Sequence, residues 1–291
     1  MVDTRRTLSA INTLYADNTA GDIGAQDARD MIKSVYGAGL ETNAQTVTTT
    51  DITGAVGQFY VCTIAGLTAN RNLTLPSAAV DELVGVQIVD GDASFALILK
   101  GAASQTINGG SAATEWSRLF IAGETVIFRC TAANTWVVAN DGRKPCRAGM
   151  LLNGDITTLT PATWEAVVFN SKDIPDTGGI ADSTAGTFVL RRAGTYLLMG
   201  QIQVDNVVTD NFCKMAFFTS GAFATKRADG ASHRNESTST LGVVAISPAN
   251  LITIAAAGDT VYPAGYVTGT GDHTISGSGD GETYMDITEI L

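Results

Sequence analysis

The sequence predicts a mainly β chain that opens on a short helical hairpin, and three observations carry that expectation. Charged residues make up 16% of the 291 residues, against roughly 25% in an average domain, so the long exposed helices that Lys and Glu support are not expected. Gly occurs 31 times among many Thr and Val, a composition that suits strands with frequent turns. From Asn43 onward, short apolar runs recur between Gly, Asn and Asp clusters at strand spacing. At about 150 residues per domain the length accommodates more than one core. We divide the chain into a helical segment at 1–42, a central β module at 43–145 and a larger β domain at 146–291.

In the first segment Leu8, Ile11, Leu14 and Tyr15 have helical spacing, and Ala28, Met31, Ile32 and Val35 follow the i, i+3, i+4, i+7 pattern. Turn formers from Asp17 to Asp22 separate the two sets, and Gly37 stands where a helix ends. Helices of about ten residues are marginal alone in water. The stripe formed by Leu8, Ile11, Leu14, Ile23, Met31, Ile32 and Val35 is therefore expected to dock on sister chains or on another protein.

In the central module Gln58–Ile64, Leu83–Val89 and Phe95–Leu99 read as strands, and Asn108-Gly109-Gly110 as a tight turn. The spacing predicts a small β-sandwich-like module. Cys62 and Cys130 fall in strand-like runs and read as small buried hydrophobes, with a bridge between them as the alternative. None of the four cysteines has the C-x-x-C spacing or neighbouring histidine of zinc and redox sites.

In the last domain Phe188 and Leu190, and likewise Tyr196 and Leu198, alternate onto one face, with turns every ten or so residues, as a ten-strand jelly roll requires. A long Gly-rich run from Gly269 to Gly281 reads as a hairpin tip, where rigid β scaffolds carry recognition. Asp272, His273 and Ser276 are its candidate recognition contacts.

The formal net charge of −11 argues against a surface that tracks phosphates, so no nucleic acid is expected as a partner. No apolar run reaches the ~18 residues of a membrane helix, and no membrane insertion is expected. Two arginines near the start lack an apolar stretch behind them, so no secretory signal is read. The protein is expected to be made and assembled in a cytoplasm.

No catalytic residue is assigned. Asp229, Ser232 and His233 are too close in sequence for the hydrogen-bonded line of a triad. Asp173 with Asp176, and Asp272 with Asp280, read as turn caps rather than a glycosidase pair. No cofactor is expected, although Asp-rich loops offer the oxygen ligands that calcium prefers.

Three resemblances sharpen the functional expectation. Asn18-Thr-Ala-Gly-Asp-Ile-Gly-Ala-Gln-Asp-Ala-Arg-Asp30 resembles an N-terminal segment of bacteriophage tail-fibre and other virion proteins, with Gly24 where that family has a Ser or Thr cap. Asn72-Leu-Thr-Leu-Pro76, Gln105-Thr-Ile-Asn-Gly-Gly110 and Asn134-Thr-Trp-Val-Val138 resemble a small β module of phage fibres and spikes. Gly186, Phe188, Gly194, Tyr196, Gly258, Asp259 and Val261 match the head shared by complement-one-q and tumour-necrosis-factor proteins. That last resemblance implies a trimer, with Tyr196, Phe217 and Tyr284 as candidate interface residues.

Together these imply a non-enzymatic virion protein. It would be a trimeric tail fibre or spike, joined to the particle by its N-terminus and contacting a glycan or protein on the host surface with its head. The alternatives are a head fibre or capsid decoration protein, or a glycan depolymerase spike. The depolymerase is disfavoured because no regular β-helix repeat is visible.

Overall fold

The computed structural model describes residues 40–154, 156–207, 210–229, 233–234, 241–270, 273–277 and 283–291. The expected helical hairpin, with Leu8, Ile11, Leu14, Ile23, Met31, Ile32 and Val35, lies outside the described residues. What is described is β structure, in two large cores and a small satellite cluster around Ala216, Phe218 and Ala264.

The central module runs β1 (Glu41–Thr46), β2 (Ile52–Thr53), β3 (Gln58–Thr63), β4 (Arg71–Leu75), β5 (Leu83–Ile88), β6 (Leu97–Gly101), β7 (Thr106–Ile107), β8 (Glu115–Leu119), β9 (Thr125–Ala132) and β10 (Thr135–Gly142). Two facing layers form, as expected, but the connectivity differs from a sandwich of hairpins. Successive strands alternate between layers, so β1, β3 and β5 stack in parallel in one sheet and β2, β4 and β6 in the other. The chain thus winds as a short parallel coil. Antiparallel β9 and β10 then close one layer, and β8 closes the other. The coil escaped the sequence reading because its rungs are unequal. Glu41 pairs with Gln58, seventeen positions on, whereas Phe59 pairs with Gly85, twenty-six positions on.

In-register parallel stacking places like positions in columns. Asn43, Tyr60 and Val86 form one, Gln45, Cys62 and Ile88 another, and Ile52, Leu73 and Leu99 a third in the opposite sheet. Below the first rung these columns are fully buried. The three fragments of the fibre-module resemblance meet at Trp136. Its indole N–H donates to Pro76 O and Gln105 Oε1, both at 3.1 Å, while Gln105 Nε2 donates to Asn134 Oδ1 at 2.6 Å. A buried indole needs an acceptor, and here Pro76 and Gln105 supply it, tying the three fragments to one another. Asn108 and Gly109 both have positive φ (50° and 74°), the conformation of the expected tight turn.

The head comprises β11 (Arg147–Leu151), β12 (Ile156–Leu159), β13 (Glu165–Ala166), β14 (Ser171–Lys172), β15 (Ala181–Asp182), β16 (Thr187–Val189), β17 (Gly194–Val207), β18 (Phe212–Phe218), β19 (Lys226–Asp229), β20 (His233–Arg234), β21 (Leu241–Ile254), β22 (Thr260–Val267), β23 (His273–Ser276) and β24 (Tyr284–Ile290). One sheet has the order β12-β23-β17-β24-β11-β14, with β21 on the other edge of β17. The facing sheet has β15-β16-β22-β18-β19. All pairings are antiparallel, and β16, β17, β18, β21, β22 and β24 alternate between the sheets, which is a jelly-roll winding. Met150, Phe188, Tyr196, Leu198, Met215, Phe217, Val261, Met285 and Ile287 fill the space between the layers.

The head signature has a physical basis at most of its positions. Gly186 has φ +66°, and a Cβ there would lie 2.5 Å from Val168 Cα, so only glycine fits. Gly258, with φ +99°, donates its N–H to Leu190 O at 2.6 Å, and Leu190 N–H donates to Asp259 O at 2.8 Å. Gly194, in contrast, opens β17 with ordinary φ and room for a side chain, so no turn requires it.

Candidate functional site

Two regions stand out, a buried seam between the modules and an exposed sheet face on the head. The seam lies where 143–146 pass from one module to the other. Arg191 and Arg192 follow the apolar end of β16, and both are buried. Arg191 donates from Nη1 to Asp92 O at 2.7 Å and Gly178 O at 2.6 Å, and from Nη2 to Phe95 O. Arg192 pairs with Glu124 at 2.6 Å and Glu289 at 2.8 Å, and donates from Nε and Nη2 to Arg118 O at 3.0 and 2.8 Å. Both guanidinium groups lie over the Phe120 ring, 4.2 and 4.8 Å from its centre.

The carboxylates are themselves tied to the backbone. Glu124 accepts from the N–H groups of Phe120 (2.8 Å), Ile121 (2.9 Å) and Lys144 (3.0 Å), and Glu289 accepts from Cys146 N–H at 3.1 Å. Burial disfavours the Arg192 charge, but the two carboxylates outweigh it and hold the guanidinium more firmly protonated. Sequence reasoning passed over this cluster. Its one signal was the pair of adjacent arginines set between apolar Leu190 and Tyr196.

The second region is the outward face of the β11-β24-β17-β21 sheet. Residues on it have the opposite parity to the core set in each strand. Leu251 and Thr288 flank Leu197 across β21, β17 and β24, and Thr253 and Ile290 flank Thr195 in the next row. Met199 lies beside Asp286, and Tyr284 stands between Gln201 and Leu151. Leu251 is 68% exposed, Ile290 49% and Met199 37%. Neighbouring strands are about 4.8 Å apart, so these side chains form one continuous apolar strip edged by threonines. Asp286 sits within it, and burial raises its carboxyl above the usual range.

This geometry corrects part of the expected interface. Tyr196 and Phe217 are fully buried inside the protomer, facing the space between the two sheets. Tyr196 donates its hydroxyl proton to Arg192 O at 2.7 Å, and burial pushes its pKa up. Neither can meet another chain, because the parity that stacks Tyr196 with Leu198 is the core parity. Tyr284 is half-buried on the outward face, together with Leu197, Met199, Leu251 and Ile290, which the sequence reading did not single out.

The expected recognition tip also changes. Asp272 lies outside the described residues, as do all of 278–282. His273 and Ser276 are not at a tip: they begin and end β23, which continues the β17 edge beyond β24, with Ser276 beside Gln203 and Tyr284 beside Gln201. His273 is 1% exposed and points inward, with neither ring nitrogen hydrogen-bonded among the described residues. Ser276 is half-buried, and its carbonyl accepts from the Thr283 hydroxyl at 2.7 Å.

Among the described residues no three His, Cys, Asp or Glu side chains come together as a metal set. Asp176 caps its own turn, accepting from Ile180 N–H (2.8 Å) and Ala181 N–H (3.1 Å). All four cysteines are free and buried, Cys62 and Cys130 included, and burial raises the Cys62 and Cys213 thiols to about 12.

No family model matches the sequence, and no curated protein matches it. Among solved structures the chain is similar to the Eiger TNF of S. frugiperda, at 14% identity and a TM-score of 0.38 over 51% of this chain and 94% of that one. It is similar also to murine APRIL at pH 8.5 and pH 8.0. Both share 13% identity over 50% of this chain and 100% of that one, with TM-scores of 0.36 and 0.37.

Proposed function

We propose that this chain is a structural and adhesive subunit of a bacteriophage particle: a homotrimeric tail fibre or spike that joins the virion by its N-terminal segment and meets the host surface with its jelly-roll head. It acts by assembly and binding, and not as an enzyme. The observation that carries self-association is the apolar strip of Leu197, Met199, Leu251 and Ile290 on an otherwise acidic chain. Exposed contiguous apolar surface of this kind marks interaction sites. The head signature supports three copies as its occupants, and the resemblance at 18–30 supports the virion as the place of assembly.

The test is the mass of the protein in solution. Light scattering is expected to give a trimer for the parent and a folded monomer for the Met199→Glu/Leu251→Glu variant; a monomeric parent at micromolar concentration would refute the proposal. Removal of residues 1–40 should leave the trimer intact and abolish incorporation into particles. Retained incorporation would sink the attachment role.

A further inference from the structure

The coil of the central module ends on a polar rung. At the columns where later rungs place Tyr60 and Val86, or Cys62 and Ile88, the first rung has Asn43 and Gln45. Among the described residues, strands β1 and β2 are the outermost of their sheets. Between them opens a cleft of about 260 Å³ lined by Asn43, Gln45, Thr50, Asp51, Thr53 and Tyr60, with Val47 and Ile52 as its apolar part.

A terminal repeat needs some polarity simply to face water. Here, however, the polar groups are organised. Gln45 Nε2 donates to Asn43 Oδ1 at 2.6 Å, Asn43 Nδ2 to Gln58 Oε1 at 3.3 Å, and Gln58 Nε2 to Glu41 Oε2 at 3.3 Å. A carboxylate only accepts, so Glu41 fixes the direction of the whole relay and leaves Gln45 Oε1 with no donor among the described residues. The Tyr60 hydroxyl accepts from Ala55 N–H at 2.8 Å and keeps its own proton to donate. Asp51 is anchored by Asn72, which donates from its backbone N–H at 3.0 Å and from Nδ2 at 2.7 Å.

We propose that this cleft binds a single sugar ring. The lining offers amide, hydroxyl and carboxylate groups at close spacing, which matches a ligand that is donor and acceptor around its rim. Among the described residues Asp51 is the one formally charged group of the lining, so phosphorylated or acidic ligands are disfavoured and a neutral sugar fits. The volume is at the small end for ligand pockets, suited to one ring rather than an oligosaccharide. The apolar part formed by Val47 and Ile52 faces the C–H side of such a ring. The site belongs to the central module and does not depend on how the heads associate.

Saturation-transfer NMR on the full chain tests this, with glucose, galactose, N-acetylglucosamine and rhamnose as the probes at millimolar concentration. Transfer to at least one sugar is expected. Asp51→Asn and Gln45→Leu should each weaken it several-fold, up to about tenfold, as loss of one hydrogen bond implies. Thr50→Ala, at an exposed position, serves as a third variant that leaves folding intact. Binding should persist in the Met199→Glu/Leu251→Glu monomer, which separates this site from the self-association proposal. Absence of transfer from all four sugars, or transfer that survives all three cleft substitutions, would overturn the assignment.

Discussion

Replacing Arg192 with Met tests how the two modules are held together. The substitution keeps most of the aliphatic volume but removes the cation shared by Glu124 and Glu289, whose side chains are 0% and 1% exposed. It also leaves Arg118 O without the donors at 2.8 and 3.0 Å. Removing one partner of a buried pair costs about 3–5 kcal/mol, because a charge remains without compensation. Against a typical total of about 5–15 kcal/mol that is a large share. For a chain of this size it corresponds to a fall in Tm on the order of 10 °C. Calorimetry on parent and variant reads it directly. The triple variant Arg192→Met/Glu124→Gln/Glu289→Gln, which removes all three charges, should recover a substantial part of the loss. A single variant that melts within about 1 kcal/mol of the parent would show that the triad is not what fixes the seam.

Other consequences are as specific. Gly186→Ala should destabilise the head by more than about 1 kcal/mol, measured by urea unfolding, since the residue has positive φ and the new Cβ would meet the Val168 backbone. Arg143 hydrogen-bonds Asp141 and holds its carboxyl below the usual range. Its contribution is therefore present above the unfolded carboxylate pKa and is lost as pH falls through the lower folded value; Asp141→Asn should flatten the acid limb of stability against pH. Asp286 has the opposite sign, because burial raises its folded pKa and stability is lost as pH rises through it. Asp286→Asn should thus raise the melting temperature at neutral pH and leave it unchanged in acid. Thiol titration of the native protein should be close to zero and should reach all four cysteines after denaturation, with no disulfide found by mass.

Much of the head was legible because its signals are local. Alternation at Phe188, Leu190, Tyr196 and Leu198 reports a strand buried on one side, and the positive φ of Gly186 and Gly258 is a demand that only glycine meets cheaply. Parity was legible too, but its meaning was not: a face occupied by Tyr196 is indistinguishable in sequence from one that meets another chain. Leu197 and Met199, apolar at the opposite parity, were the available clue that β17 has a second apolar side. The winding of the central module could not be read, because unequal rungs leave no period and parallel neighbours are far apart in sequence. His273 was misplaced for a related reason. Glycine and aspartate around it signal a loop, while the partners that make 273–276 a strand are on β12 and β17.

The seam has a mechanical meaning. The connection at 143–146 has no slack, since Lys144 and Cys146 give their N–H groups to Glu124 and Glu289, the two carboxylates that grip Arg192. Flexible tethers decouple the parts they join, and each part then samples orientations independently. A joint clamped by two guanidinium groups, Arg191 and Arg192, does the reverse: a torque applied to the jelly roll is delivered to the coil as a lever delivers load to its fulcrum.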